Sequence, residues 1–206
     1  MKIIDQTHEI LTDIDHHKIL GNIERAGRTC YQSADKITPD SSEAFAKKLL
    51  TMGHHSVIEH ESVSVKFITD RGITHELVRH RLCSFSQESS RYVKYNNIEF
   101  IRPVWWRDWS EAEQNIWVHS MLNAEKDYRA LIDAGSRPEQ ARAVLPNSTK
   151  TEIVMTANLR EWRHVLDLRC SKKAHPQMRM LMLGLLDDLN YGIPVIFEDL
   201  YDKYFL

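Results

Sequence analysis

Apolar positions recur at three- and four-residue spacing over several long stretches of the chain and alternate with polar positions over shorter ones. From about Asp15 to Ala26, Ile19, Leu20 and Ile23 share one side of a predicted helix. Ser41 or Ser42 stands where a cap is needed for a second helix carrying Phe45, Leu49 and Leu50. Val63, Val65 and Phe67 alternate with polar residues, the pattern of a half-buried strand. Lys2 to Ile4 suits a short strand, as does Ile98 to Ile101, which Pro103 stops. After Asp70-Arg71-Gly72 a helix is expected through Ile73, Leu77 and His80, running into a serine-rich stretch where helix propensity falls. Ser110 and Glu113 have capping-box spacing for a helix reaching about Ile132. Pro138 suits the first turn of a helix over Ala141 to Leu145, ended before Pro146. Asn158 and Glu161 repeat the capping-box spacing and open a helix with Trp162, Val165, Leu166 and Arg169 on one side. A last helix brings together Met178, Leu181, Met182, Leu185, Leu186 and Leu189, a face for core or subunit contact rather than a cofactor box. Helices outnumber strands, so the class is α+β, and the length suits one domain, or one domain with a helical appendage, over residues 1–206.

Composition narrows the function. With 206 residues and 42% hydrophobic content the chain buries an ordinary core. Twenty-seven basic and 29 acidic residues leave a net charge of -2, which gives no overall case for a nucleic acid polymer or a membrane surface. Any anion site must come from local placement of arginine. Glycine is scarce, at 7 residues, and no glycine-rich phosphate loop is present. Cys30, Cys83 and Cys170 lie far apart, which disfavours disulfides and structural zinc and points to a reducing cytoplasm. The first residues lack the apolar run of a signal peptide, and no stretch approaches the ~18 apolar residues of a membrane span.

The densest chemistry runs from Arg79 through His80, Arg81, Leu82, Cys83, Ser84, Phe85, Ser86, Gln87, Glu88, Ser89, Ser90 and Arg91 to Tyr92. Guanidinium forks grip phosphates and planar polar rings, and serine hydroxyls add donors to such oxygens. If the first part is helical, Arg79 and Arg81 point to nearly opposite sides and serve two ligands, or two faces of a subunit boundary. Composition alone therefore reaches a site for one or more anionic, planar ligands.

The order of these residues resembles the signature of flavin-dependent thymidylate synthases, R-H-R-x7-S. Arg79-His80-Arg81 is followed by Ser89, and the longer form also meets Ser84 and Arg91, departing at Ser86, where asparagine is common. Gly53-His54-His55-Ser56-Val57-Ile58-Glu59-His60 is similar to the family's G-H-x-S/T-x-x-E-H element. Arg142 lies sixteen residues before Asn158, and Asn158-Leu159-Arg160-Glu161-Trp162-Arg163-His164, with Leu168-Arg169, resembles a further family helix. Four ordered motifs after Met52 weigh more than one arginine cluster.

The resemblance implies a helix-rich fold with a central antiparallel sheet. It implies methylation of dUMP to dTMP in thymidylate biosynthesis, with methylenetetrahydrofolate as carbon donor and FAD carrying hydride from NADPH. By position, His54, Ser56, Glu59, Arg79, His80, Arg81, Asn158, Arg160 and His164 would hold the flavin; asparagine often stands at the place of His164. Glu76, Gln87, Glu88, Ser89, Arg91, Arg142 and Arg169 would hold the nucleotide; some members carry glutamine at the place of Glu76. Arg91 and Arg142 suit the phosphate. Arg169 suits the uracil edge, where it would stabilise negative charge on the ring and act as the catalytic residue. The family assembles as a homotetramer with sites shared between subunits, and no enzyme cysteine is thought to activate the uracil. Ser89 without a partner base is a poor nucleophile, so a binding role is expected for it.

Plainer readings stand beside these. His54, His55, Glu59 and His60 miss H-E-x-x-H spacing, and H-x-x-E-H by one residue, so no metal site is assigned. Asn158 also serves as a helix cap, and His80 has a structural part. Trp105, Trp106 and Trp109 suit buried core or an interface better than stacking on a ligand ring. Cys83 reads as a packing residue, and Arg163, Lys172 and Lys173 as solvated.

Overall fold

Alternation and helical periodicity resolve, in a computed structural model that describes all 206 residues, into six strands and eight α-helices. In chain order these are β1 (Lys2–Ile4), β2 (Thr7–Ile10), α1 (His16–Cys30), α2 (Ser41–Thr51), β3 (Ser62–Asp70), α3 (Arg71–Leu77), β4 (Ser84–Gln87), β5 (Glu99–Ile101), α4 (Glu111–Asp133), α5 (Pro138–Ala141), β6 (Lys150–Asn158), α6 (Leu159–Arg169), α7 (Pro176–Gly192) and α8 (Pro194–Phe205). The class is α+β, helix-rich, with a four-stranded antiparallel sheet in the order β2-β3-β6-β4. A separate parallel pair sets Lys2, Ile3 and Ile4 of β1 against Glu99, Phe100 and Ile101 of β5.

The chain divides into two compact units. The first comprises residues 1–7, 66–79 and 85–154; the second comprises residues 8–65, 80–84 and 155–206. The strands β3 and β6 each contribute residues to both. Their buried positions alternate strictly: Val63, Val65, Phe67 and Thr69 on β3, and Thr151, Ile153, Met155 and Ala157 on β6.

In the first unit, the core gathers Ile98, Phe100, Trp117, Met121, Tyr128 and Ala141, with Trp106 and Trp109 packed against it. Two of the three grouped tryptophans therefore pack on the core, and Trp106 meets Trp117 edge to face at 5.5 Å. Ser110 accepts from the Glu113 N–H while the Glu113 carboxylate takes the Ser110 N–H at 2.7 Å, the expected capping box of α4. Pro138 starts α5, but the α-helix stops at Ala141 and tightens into a 3-10 turn over Arg142–Val144.

In the second unit, α6 seats its wholly buried Trp162 by donating from Nε1 to the Val63 carbonyl at 2.9 Å. The face predicted on α7 is core, since Met178 through Leu189 at its helical spacing is buried. It is not the last helix. Pro194 opens α8, whose Ile196, Phe197 and Leu200 are also buried. Gly27 lets α1 approach α2, because a Cβ there would lie 2.6 Å from Phe45 and 2.8 Å from Leu49. The cap of α2 is Asp40 rather than Ser41 or Ser42. The Ser41 hydroxyl donates instead to Glu24, a buried carboxylate that also receives Arg28 at 2.9 Å. Arg163 is not solvated: both its terminal nitrogens reach Asp199 on α8 at 2.6 Å.

Candidate active site

The helix expected to reach His80 ends at Leu77. Asp70 caps its start by accepting from the Ile73 N–H at 2.8 Å. Arg79, His80 and Arg81 then fall in a turn closed by Cys83 N–H to the His80 carbonyl at 3.1 Å. A turn removes the helical geometry that would have set Arg79 opposite Arg81. It leaves both arginines exposed and buries His80 at 6% exposure.

His80 meets Arg169, the last residue of α6, whose Nε donates to His80 Nε2 at 2.9 Å. A guanidinium cannot accept, so Nε2 carries the lone pair and Nδ1 the hydrogen. Burial first, then the positive charge of Arg169 and the neighbouring His164, lowers the His80 pKa from 6.5 to about 4. The imidazole is therefore neutral at physiological pH. The His164 ring lies edge-on to it at 6.4 Å. Nitrogens of His80 and His164 and a carboxylate oxygen of Glu161 all fall within 4.8 Å of one another. That donor set does not suit a cation, because the Arg169 guanidinium already occupies His80 Nε2 and holds a fixed positive charge beside it.

The other residues expected around the flavin gather at the opposite end of α6. Asn158 caps the helix, accepting from the Glu161 N–H at 2.8 Å, and Arg160 stands in the first turn. Arg160 pairs with Glu59. Together with His54 and Ser56 it lines a cavity of about 350 Å3 that also takes in Tyr31, Leu49 and Val57. The Tyr31 hydroxyl holds His54 Nδ1 at 3.0 Å. Gly53 adopts φ +75° at the cavity edge, a conformation that favours glycine and turns the chain directly after α2. Of the nine expected flavin residues, eight belong to the second unit and Arg79 to the first.

Six of the seven expected nucleotide residues belong to the first unit, and Arg169 to the second. On and after β4, Gln87 donates its amide to Thr74 at 2.9 Å and to Thr151 at 3.3 Å. Glu88 pairs with Lys150 at 3.5 Å. Glu88 also faces Tyr95, whose hydroxyl is pushed well above its ordinary pKa, chiefly by burial and then by that carboxylate. Ser89 accepts from the Arg91 N–H at 3.4 Å, while the Arg91 side chain is exposed and lies 5.4 Å over the Tyr92 ring. Arg142 donates to the buried Ser90 hydroxyl at 3.0 Å. Glu76 is half-buried in the last turn of α3.

Sequence reasoning missed the residues that shape the cavities. Tyr31 lies on the first forty residues, which carried no motif. Arg71, His75, Tyr95 and Asn147 line a second cavity, of about 470 Å3, with Ser90 and Arg142. Asp70-Arg71-Gly72 signalled only a helix start.

Guanidinium groups line both cavities of this α+β chain, Arg160 in one and Arg71 and Arg142 in the other, the side-chain chemistry by which anionic, planar ligands are gripped. The family model described as thymidylate synthase complementing protein matches residues 14–195. The flavin-dependent thymidylate synthase of Geobacter sulfurreducens is 37% identical over 183 residues, covering 84% of this chain and 78% of that protein. That of Mycobacterium avium is 37% identical over 206 residues, covering 91% and 81%. Among solved structures, the UMP/dUMP methylase PolB from Streptomyces cacaoi bound with 5-Br dUMP shares the fold at a TM-score of 0.81, with 24% identity and 96% of each chain covered. The chain belongs to the flavin-dependent thymidylate synthase family.

Proposed function

We propose that this enzyme methylates dUMP to dTMP, taking carbon from methylenetetrahydrofolate, with FAD as the hydride carrier and NADPH as reductant. The observation that carries the reading is the layout of α6. It bears Asn158 as its cap, Arg160 and His164 along its length and Arg169 as its last residue. At 1.5 Å per residue, Arg160 and Arg169 are held about 14 Å apart on one rigid rod. The helix thus runs from Asn158 and Arg160 of the flavin set to an arginine oriented by the neutral His80 of the same set.

The residues present fit FAD. The cavity at Arg160 combines donors from His54 and Ser56 with the apolar Leu49 and Val57, as a ligand with both phosphates and a flat ring requires. Glu59, Arg79, His80, Arg81, Asn158 and His164 complete the binding set. When bound, FAD supplies the hydride that reduces the transferred carbon. Glu76, Gln87, Glu88, Ser89, Arg91 and Arg142 hold the nucleotide. Arg169 stabilises negative charge on the uracil ring as it accepts the one-carbon unit.

The thiols support activation of uracil without an enzyme cysteine. Burial pushes both Cys83 and Cys170 up to about 12, the nearby Glu161 adding to the shift at Cys83, so neither is a thiolate near neutral pH. We further propose a single functional domain over 1–206 acting as a homotetramer in the cytoplasm. Leu82, 83% exposed, and Tyr92, 77% exposed, lie within the arginine-rich segment and suit a subunit boundary there. No helix is long and apolar enough to cross a membrane.

The test is direct. Purified protein should be yellow and release FAD on denaturation. Tritium release from 5-tritiated dUMP, with dTMP as product, should require both NADPH and methylenetetrahydrofolate. Preparations that contain no FAD and refuse added FAD and dUMP would overturn the reading.

A further inference from the structure

Arg71 is the first residue of α3, and its backbone N–H is shared between the Asn147 and Thr149 carbonyls at 2.9 and 3.2 Å. Those two bonds anchor its Cα. Its side chain lines the cavity of about 470 Å3 in the first unit, where Nη1 is buried and has no hydrogen-bond partner. Buried guanidinium nitrogens are almost always paired, since an unpaired one forfeits its hydration for nothing. Glu88, which faces the Tyr95 of the same lining, pairs with Lys150 at 3.5 Å. Arg142, on the same cavity, bonds the neutral Ser90 hydroxyl, and His75 adds an imidazole. The one carboxylate in the lining, Glu139, is taken by Arg137 at 2.9 Å.

Two guanidinium groups, an imidazole and a hydroxyl around a cavity short of negative charge form a receptor for a dianion. The geometry points to Arg71 as a further phosphate-binding residue, which with Arg142 receives the phosphate monoester of the nucleotide and sets the preference for nucleotide over nucleoside. This rests on the proposed dUMP reaction and deepens it. The sequence-based assignment gave the phosphate to Arg91 and Arg142; Arg71 joins Arg142 in the wall of this cavity, while the Arg91 side chain lies over Tyr92. A buried phosphate contact carries more discrimination than an exposed one because water competes less for it.

The experiment compares dUMP with deoxyuridine on the flavin-loaded enzyme, by calorimetry, for the wild type, Arg71→Met and Arg71→Lys. Arg71→Met should weaken dUMP at least tenfold, leave deoxyuridine within twofold, and leave flavin content unchanged. Arg71→Lys should recover part of the dUMP affinity. A second readout separates ligand binding from structural support. Removing a half-buried charge with an unpaired nitrogen should leave the melting temperature of the nucleotide-free protein equal or higher, while shrinking the rise produced by saturating dUMP. Unchanged dUMP affinity in Arg71→Met, or equal losses for dUMP and deoxyuridine, would overturn the assignment. So would a variant that unfolds or melts lower without nucleotide, because Arg71 would then be a structural group. A wild type that binds FAD but no dUMP overturns the functional reading itself, and the phosphate assignment with it.

Discussion

Arg169 owes its direction to a neighbour that cannot compete for its charge. His80 presents a lone pair at 2.9 Å, and its own protonation is suppressed to about 4. Charging the buried ring would set a second cation against the Arg169 guanidinium. Two predictions follow the chemistry of this pair. Arg169→Ala should cut turnover at least a hundredfold, on the order of 3 kcal/mol of transition-state stabilisation, while leaving FAD bound, as steady-state rates and the visible spectrum will show. Stability should also respond to pH with a defined sign. Above pH 6.5 the ring is neutral folded and unfolded; between 6.5 and about 4 only the unfolded chain takes the proton, so stability falls as pH falls, and below about 4 this contribution stops changing. The full shift corresponds to about 3 kcal/mol, and solvent screening at this surface turn reduces the expected loss to about 2 kcal/mol. Thermal melts from pH 7 to pH 4 will isolate it, because His80→Gln should lose less stability over that window than the wild type. His164, Glu161 and Arg169 surround the ring in both cases, so the difference between the two proteins belongs to His80. That His80 mattered was legible from its place between two arginines. That it is neutral, and which nitrogen carries the proton, depends on burial and on Arg169, 89 residues away.

At the level of elements, caps and alternation were readable because they are local. Ser110 with Glu113 and Asn158 with Glu161 sit three residues apart, the separation that places a side-chain oxygen at an orphan N–H of the first turn. Asn158 carries both a cap and a proposed flavin contact, and the two are separable. Asn158→Ala should lower stability by about 1 kcal/mol in denaturant melts and also lower flavin content. Asn158→Asp should restore the stability, since its carboxylate caps equally well, without restoring the flavin, since it lacks the amide donor. β6 escaped notice although it is among the longest strands. Val154 interrupts its alternation with an unbroken Ile153-Val154-Met155 run, which periodicity alone does not assign. α8 was missed because its apolar residues follow α7 after Ile193 alone, and Pro194 at its first turn restarts a helix that Gly192 had closed. That omission made Arg163 look solvated, for its partners lie on α8.

For the whole molecule, the association state is the open quantity a single chain implies through its surface. Leu82 and Tyr92 are exposed within the segment that holds the chemistry. Light scattering should give a mass about four times the 24.1 kDa of one chain. Leu82→Asp should shift it toward smaller species and reduce activity together with mass. By itself the sequence determined the α+β class, the order of the arginine-bearing motifs, the caps of α4 and α6 and the buried face of α7. Each depends on residues close along the chain, where spacing alone sets which side chains share a face. Only the tertiary structure decided that Tyr31 reaches His54 across 23 residues, that Arg169 is steered by His80, and that Arg71 Nη1 lies unpaired in a cavity lined by Asn147 and Thr149. Cavities, proton positions and unmet charges are set by contacts between segments remote in sequence, and no local pattern encodes those distances.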